Sequence, residues 1–130
     1  MKYNVEFFTP KEFKCKCCGK GEPAAALVLA LDFLRRAWSG PVIVNSGCRC
    51  GVHNCEVGGV MNSRHMIGCA ADIRPRDLEF IAPFKSLASN MFGRLSGWEL
   101  KFYQRFVHVA VPREEAADVW NGSPINITMH

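Results

Sequence analysis

No apolar stretch opens this 130-residue sequence: Met1-Lys2-Tyr3-Asn4-Val5-Glu6 carries charge where a secretory signal would be hydrophobic. Its longest apolar run, Ala24 to Leu31, ends at Asp32 and is far short of a bilayer span. The expectation is therefore synthesis in the cytoplasm without membrane insertion, any target outside being reached only after release by another agent. A phosphate-cradling glycine loop is also missing, since Gly58-Gly59 lacks the flanking strand, helix and lysine that such a loop needs. Only one C-x-x-C spacing occurs, Cys15 to Cys18, and no basic helix with interleaved aromatics follows it. A zinc-ribbon nucleic-acid binder is thereby excluded. Internal repeats and low-complexity segments are absent too.

What is present is the make-up of an ordinary globular protein: 48% hydrophobic and 22% charged, enough apolar material for one core in a single domain spanning 1–130. A monomer is expected. Sixteen Lys and Arg against twelve Asp and Glu give a net charge of +4, and the basic residues are scattered (Lys11, Lys14, Lys16, Lys20, Arg35, Arg36, Arg74, Arg76), which reads as a solvated surface rather than a polyanion-binding face.

Along the chain, Thr9-Pro10 has the form of a helix cap followed by proline and predicts a short turn through Phe13. Leu27, Ala30, Leu31, Leu34 and Trp38 recur at helical spacing and predict a helix from near Glu22-Pro23 to Trp38, with Asp32, Arg35 and Arg36 on its wet face. Val42-Ile43-Val44 reads as a buried strand. The segment from Asn45 to Ile67, rich in Gly, Asn, His, Cys and Ser without period, reads as a long irregular loop, and such loops in compact domains are usually functional. Cys69 to Ile73 predicts a second strand closed by Arg74-Pro75, and Leu78 to Met91 a second helix ended by Gly93. A strand is placed within 94–103. Phe106 to Val111 alternates with period two, putting Val107, Val109 and Val111 on one face and leaving His108 on the other. Beyond Pro112 the expectation is one helical turn between Glu114 and Trp120, then polar coil; Asn126-Ile127-Thr128 matches a glycosylation sequon to which no role is given.

The chemistry concentrates in Ser63-Arg64-His65-Met66-Ile67-Gly68-Cys69-Ala70-Ala71-Asp72. Imidazole nitrogen and carboxylate oxygen are both good zinc ligands, and a loop histidine followed by a strand aspartate can converge on one ion, with Gly68 and Ala70 leaving room. A lone histidine on an apolar strand, His108, completes a set of three. Two nitrogens and one oxygen leave a fourth position for water, which is the composition of a catalytic zinc site and not of a closed structural one.

Seven cysteines are an odd number and cannot all pair with one another. Cys15, Cys17 and Cys18 form one cluster and Cys48, Cys50 and Cys55 a second. A structural zinc tying the two clusters together, free buried thiols, and disulfides formed after release are three open readings.

On these residues the sequence resembles the zinc D-Ala-D-Ala carboxypeptidases and their phage endolysin relatives, which share a fold with the hedgehog signalling domain. The family pattern Ser-x-His-x-x-Gly-x-Ala-x-Asp is met at Ser63, His65, Gly68, Ala70 and Asp72, and its closing strand at Val107-His108-Val109. Val44-Asn45-Ser46-Gly47-x-Arg49, His53-Asn54 and Val57-Gly58-Gly59 are similar to the segment that precedes the zinc motif in many members. The resemblance implies a small α+β domain with an antiparallel sheet, helices packed on one side, and a long loop bringing Arg49 and His65 to a cleft. It implies one zinc on His65, Asp72 and His108, with hydrolysis of a peptide bond next to D-alanine in peptidoglycan stem or cross-link peptides, in the setting of phage or prophage lysis. Arg49, sixteen residues before His65, matches the arginine that binds the substrate carboxylate in such enzymes, and Ser63 matches a serine near the substrate or behind the metal ligands.

The pattern breaks at the proton-transferring carboxylate. Relatives carry an acid three or six residues before the second histidine, or two after it; here those positions hold Arg105, Phe102 and Ala110. Glu99, nine residues before His108, is the nearest upstream acid and the expected catalytic base, provided that Leu100 to Arg105 forms a long hairpin loop. The missing acids motivate a second reading, a zinc-containing domain that binds cell-wall peptide without cutting it.

Overall fold

Leu27, Val28, Leu31 and Leu34 lie on one stripe of a helix and are fully buried, which is why the first long element, α1 (Ala25–Trp38), forms where the period places it. Each such side chain contributes roughly 1.5–3 kcal/mol on burial. The computed structural model describes residues 1–127. The helix starts later than Pro23 because backbone groups of residues 23 to 25 are used elsewhere: Ala24 N donates to Gly68 O, Ala25 N to Asp118 O, and Pro23 O accepts from Trp120 N. It stops where Ser39 turns left-handed at φ 59° ahead of Gly40-Pro41.

Asp32 is not on the wet face. It is fully buried, and its carboxylate accepts from the Tyr3 hydroxyl at 2.6 Å and from the backbone N–H of Glu6 and Phe7. The amino-terminal segment crosses α1 there, and its unpaired donors require a buried acceptor, a demand that helical periodicity cannot reveal.

Four strands make an antiparallel sheet in the order β2 (Val42–Ser46), β3 (Ala70–Pro75), β5 (Val107–Ala110), β4 (Glu99–Phe102). Ile73 pairs with both Val44 and Val107, and Ala71 with Val109, so these residues share the face that packs into the core with α1 and α3 (Ile81–Phe92). Phe84 of α3 is fully buried, edge-on to Trp38 of α1 at 5.2 Å. Pro83 falls in the first turn of α3, where its missing N–H would have had no helical partner.

β4 covers only the second half of the 94–103 segment. The residues before it turn tightly, and Trp98 stacks on Phe92 at 5.5 Å. The connection to β5 is short: Tyr103 N donates to Phe106 O across Gln104-Arg105, and no long hairpin loop forms. The segment from Asn45 to Ile67 is also more ordered than its composition predicts, holding the helix α2 (Gly51–Glu56) and a 3-10 turn, Arg64–Ile67. After a 3-10 turn at Arg113–Ala117, the tail is not all coil. Trp120 is buried edge-on to Phe13, and β6 (Ile125–Asn126) pairs with β1 (Lys2–Tyr3), a contact between chain ends with no local sequence signal. The sequon's Thr128 lies outside the described residues. No helix among those residues is long and apolar enough to cross a membrane.

Candidate metal centre

Antiparallel pairing places directly opposed residues on one face of a sheet. Ser46 is opposite Asp72, Asp72 is opposite His108, and His108 is opposite Lys101, so these four form one row across all four strands on the face away from the valines. Ser46 joins the row because β2 bulges at Asn45; regular pairing would have set Asn45 against Asp72. Bulges commonly re-aim a side chain beside a functional site, and this one does so.

His65 reaches the row from the Arg64–Ile67 turn. Ser63 caps that turn, its hydroxyl accepting from His65 N at 3.2 Å, and Gly68 closes it at φ +76°. Gly68 is demanded twice, by that conformation and by space, since a Cβ would lie 2.5 Å from Glu22 O. The His65 ring is nearly inaccessible, and its Nδ1 donates to Gly47 O at 2.7 Å. A carbonyl can only accept, so Nδ1 carries a proton, and Nε2 faces Asp72 Oδ1 at 3.2 Å.

His108 is held in a complementary way. Its Nδ1 faces the same Asp72 Oδ1 at 3.0 Å, and its Nε2 donates to Glu99 Oε1, also at 3.0 Å. Glu99 arrives diagonally from β4, whose register sets it opposite Ala110, and its other oxygen is 3.5 Å from Arg64 Nε. Burial would raise the Glu99 pKa, but the His108 hydrogen bond and the Arg64 charge lower it overall. Glu99 therefore sits behind His108, against the nitrogen turned away from Asp72.

Arg49 grips the remaining oxygen of Asp72. Its Nη2 donates to Asp72 Oδ2 at 3.0 Å, Nε to Ser46 Oγ at 3.0 Å and Nη1 to Asn54 Oδ1 at 3.3 Å. Asn54 is itself buried and donates to Val60 O; Gly59 packs so closely that a Cβ would lie 2.1 Å from Asn54 Oδ1. Burial pushes the Asp72 carboxyl upward, yet the hydrogen bonds from His108 and His65 overcome it and hold the pKa well below the usual carboxylate range. The aspartate is thus a fixed carboxylate with Oδ1 shared by both imidazoles.

His65, Asp72 and His108 offer ligand atoms that all lie within 4.8 Å of one another, each on a buried residue. The donor set fits zinc: two imidazole nitrogens and a carboxylate oxygen, each histidine fixed in orientation by an acceptor on its outer nitrogen. The three donors line a cleft of about 260 Å³, together with Val57 to Val60 and with Tyr103 and Phe106 of the β4–β5 hairpin. Arg49, Ser63 and Lys101 also line it; Glu99 does not. A larger depression near Arg74, Arg76, Asp77 and Arg105 holds no cluster of three metal-ligating side chains among the described residues.

The family model described as Peptidase M15 matches residues 6–110. The chain belongs to this family. No curated protein matches it. Membership in Peptidase M15, whose members are zinc-dependent, agrees with the three-donor cluster and with the α+β fold of small antiparallel sheets and a few helices. The matched region holds all six residues that the sequence singles out, Arg49, Ser63, His65, Asp72, Glu99 and His108, and the fold brings them into one neighbourhood. Sequence reasoning gave no separate role to Ser46, Asn54 or the Gly47 carbonyl. A buried amide beside a tightly packed Gly-Gly pair is the signal that could have found Asn54.

Proposed function

We propose that this Peptidase M15 chain is a zinc metallopeptidase that cuts a peptide bond next to D-alanine in peptidoglycan. The observation carrying this reading is the buried His65–Asp72–His108 set lining a solvent-open cleft of about 260 Å³. Zinc held by His65 Nε2, Asp72 Oδ1 and His108 Nδ1 would supply Lewis acidity, acidifying a water and polarising the scissile carbonyl. Arg49 keeps Asp72 turned so that Oδ1 faces the imidazoles. Glu99 and the Gly47 carbonyl hold the proton-bearing nitrogens of His108 and His65 outward. The exposed side chains of Val57, Val60 and Tyr103 give the cleft apolar lips for a short peptide.

A free terminal carboxylate is the group this cleft is suited to receive. Three of the five guanidinium N–H donors of Arg49 are engaged, leaving one on each terminal nitrogen, and Lys101 adds a second cation across the floor. That favours removal of a terminal residue over an internal cut. The biological setting proposed, release to the cell wall during phage or prophage lysis, is taken from the endolysin resemblance.

One observation favours the second reading, a domain that binds cell-wall peptide without cutting it. Apart from Asp72, whose two oxygens are engaged, no acid lines the cleft among the described residues. The deciding experiment incubates zinc-loaded protein with a D-Ala-D-Ala-terminated stem peptide and follows released D-alanine by mass spectrometry, with binding measured in parallel. Release that stops on chelation and returns with zinc is the expected result. Saturable binding with no release would establish the binder instead.

A further inference from the structure

The two cysteine clusters meet on the far side of Arg49 from the histidines, and we propose that they form a second, structural zinc site built by Cys15, Cys18 and Cys50 with Cys17 completing it. The sulfurs of Cys15, Cys18 and Cys50 all lie within 4.8 Å of one another, although Cys50 is thirty-five residues from Cys15. The first arm is a tight knuckle: Cys15 O accepts from Gly19 N, Cys15 N donates to Lys20 O, both at 2.8 Å, and Gly19 takes φ +72°. That turn brings the Cys15 and Cys18 thiols to one side. The second arm is docked on the first through Cys48 N to Phe13 O at 2.9 Å and Cys50 N to Cys15 Sγ at 3.4 Å.

Backbone donors point at two of the sulfurs: Cys50 Sγ accepts from His53 N, and Cys15 Sγ from Cys50 N, both at 3.4 Å. Cys17, exposed on the same knuckle, has its thiol against Cys50. Four thiolates in a tetrahedron are a closed structural zinc set, and Lys14, Lys16 and Lys20 in the same segment offset its negative charge. None of the seven cysteines is in a disulfide. Binding would release thiol protons to solvent and fix the backbone of Cys50, one residue from Arg49, whose guanidinium grips Asp72 and whose backbone N–H donates to His65 O at 3.0 Å. The metal would thus brace the loop that positions Arg49, without touching substrate.

The test is zinc content and X-ray absorption on full-length protein prepared reduced and saturated with zinc. Wild type should hold two zinc ions per chain, with a sulfur shell near about 2.3 Å beside a nitrogen and oxygen shell at about 2.0–2.2 Å. A His65→Ala/His108→Ala double variant should keep one zinc with sulfur alone, whether or not the wild type has peptidase activity. Cys18→Ser/Cys50→Ser should keep one with nitrogen and oxygen alone, and Cys17→Ser should lower the sulfur count without losing the ion. Should the double cysteine variant fail to fold, titrating wild-type thiols with a mercurial should release one of its two zinc ions. A wild type that holds a single zinc with no sulfur shell overturns the proposal. So does a Cys15–Cys18 disulfide in protein kept reduced, or a mercurial that releases no metal.

Discussion

Arg49 Nη2 meets Asp72 Oδ2 at 3.0 Å, on the opposite side of the carboxylate from the oxygen that both histidines face. With only 12% and 9% of the two side chains exposed, the contact is little screened. It also changes what Arg49 does. Under the proposed function, the guanidinium orients the zinc-ligand carboxylate with part of its fork and has only the remainder for substrate.

Arg49→Lys should therefore act on two properties at once. A point charge cannot reach Ser46, Asn54 and Asp72 together, so zinc affinity should fall by roughly 10–100-fold, as when an orienting partner is lost. The preference for a free over an amidated substrate terminus should shrink as well. Competition with a chelator and turnover on the two substrates measure these effects. Unchanged zinc affinity would remove the orienting role, and equal sensitivity to amidation in both proteins would remove the carboxylate clamp.

Glu99→Gln separates positioning from proton transfer. The hydrogen bond to His108 Nε2 at 3.0 Å predicts weaker zinc binding, again by roughly 10–100-fold, with turnover restored by excess metal. A general base would instead cost about 10²–10⁴ in rate even at zinc saturation. The zinc dependence of kcat distinguishes the two, and a rate that stays low at saturation returns Glu99 to the role of base.

Gly68→Ala should destabilise the domain by more than Gly58→Ala. Both glycines are left-handed, at φ +76° and +72°, so both variants bear the backbone cost of about 1–2 kcal/mol. Only at Gly68 does a Cβ meet a backbone oxygen, Glu22 O at 2.5 Å; around Gly58 there is nothing within 4 Å. Urea unfolding of the two variants gives the difference directly. Equal losses would mean that the Glu22 segment moves aside freely.

Acid should weaken the metal-free protein through Asp72. Its folded pKa lies below the unfolded value, so its contribution to stability is complete above the ordinary carboxylate range and is lost as pH falls towards the depressed folded value. Unfolding free energy measured in chelator should drop below about pH 4 more steeply in wild type than in Asp72→Asn. Parallel slopes would show that the hydrogen bonds to His65 and His108 do not favour the ionised form.

The sequence by itself determined those features whose cause is local. Leu27, Leu31 and Leu34 announce α1 because a helix returns to one face every three to four residues, and Val107, Val109 and Val111 announce β5 because a strand returns every two. The spacing of His65, Asp72 and His108 singled out three donors by residue type. Tertiary structure decided what depends on segments far apart in the chain. Asp32 is buried because residues 3 to 7 cross it, β1 and β6 exist only once the chain ends meet, and α2 forms inside a stretch without period. The bulge at Asn45, the hold of Arg49 on Asp72 and the diagonal reach of Glu99 to His108 all follow from strand register. Register is settled by how whole faces bury against the core, and a one-residue slip would send each of these side chains to the opposite side of the sheet.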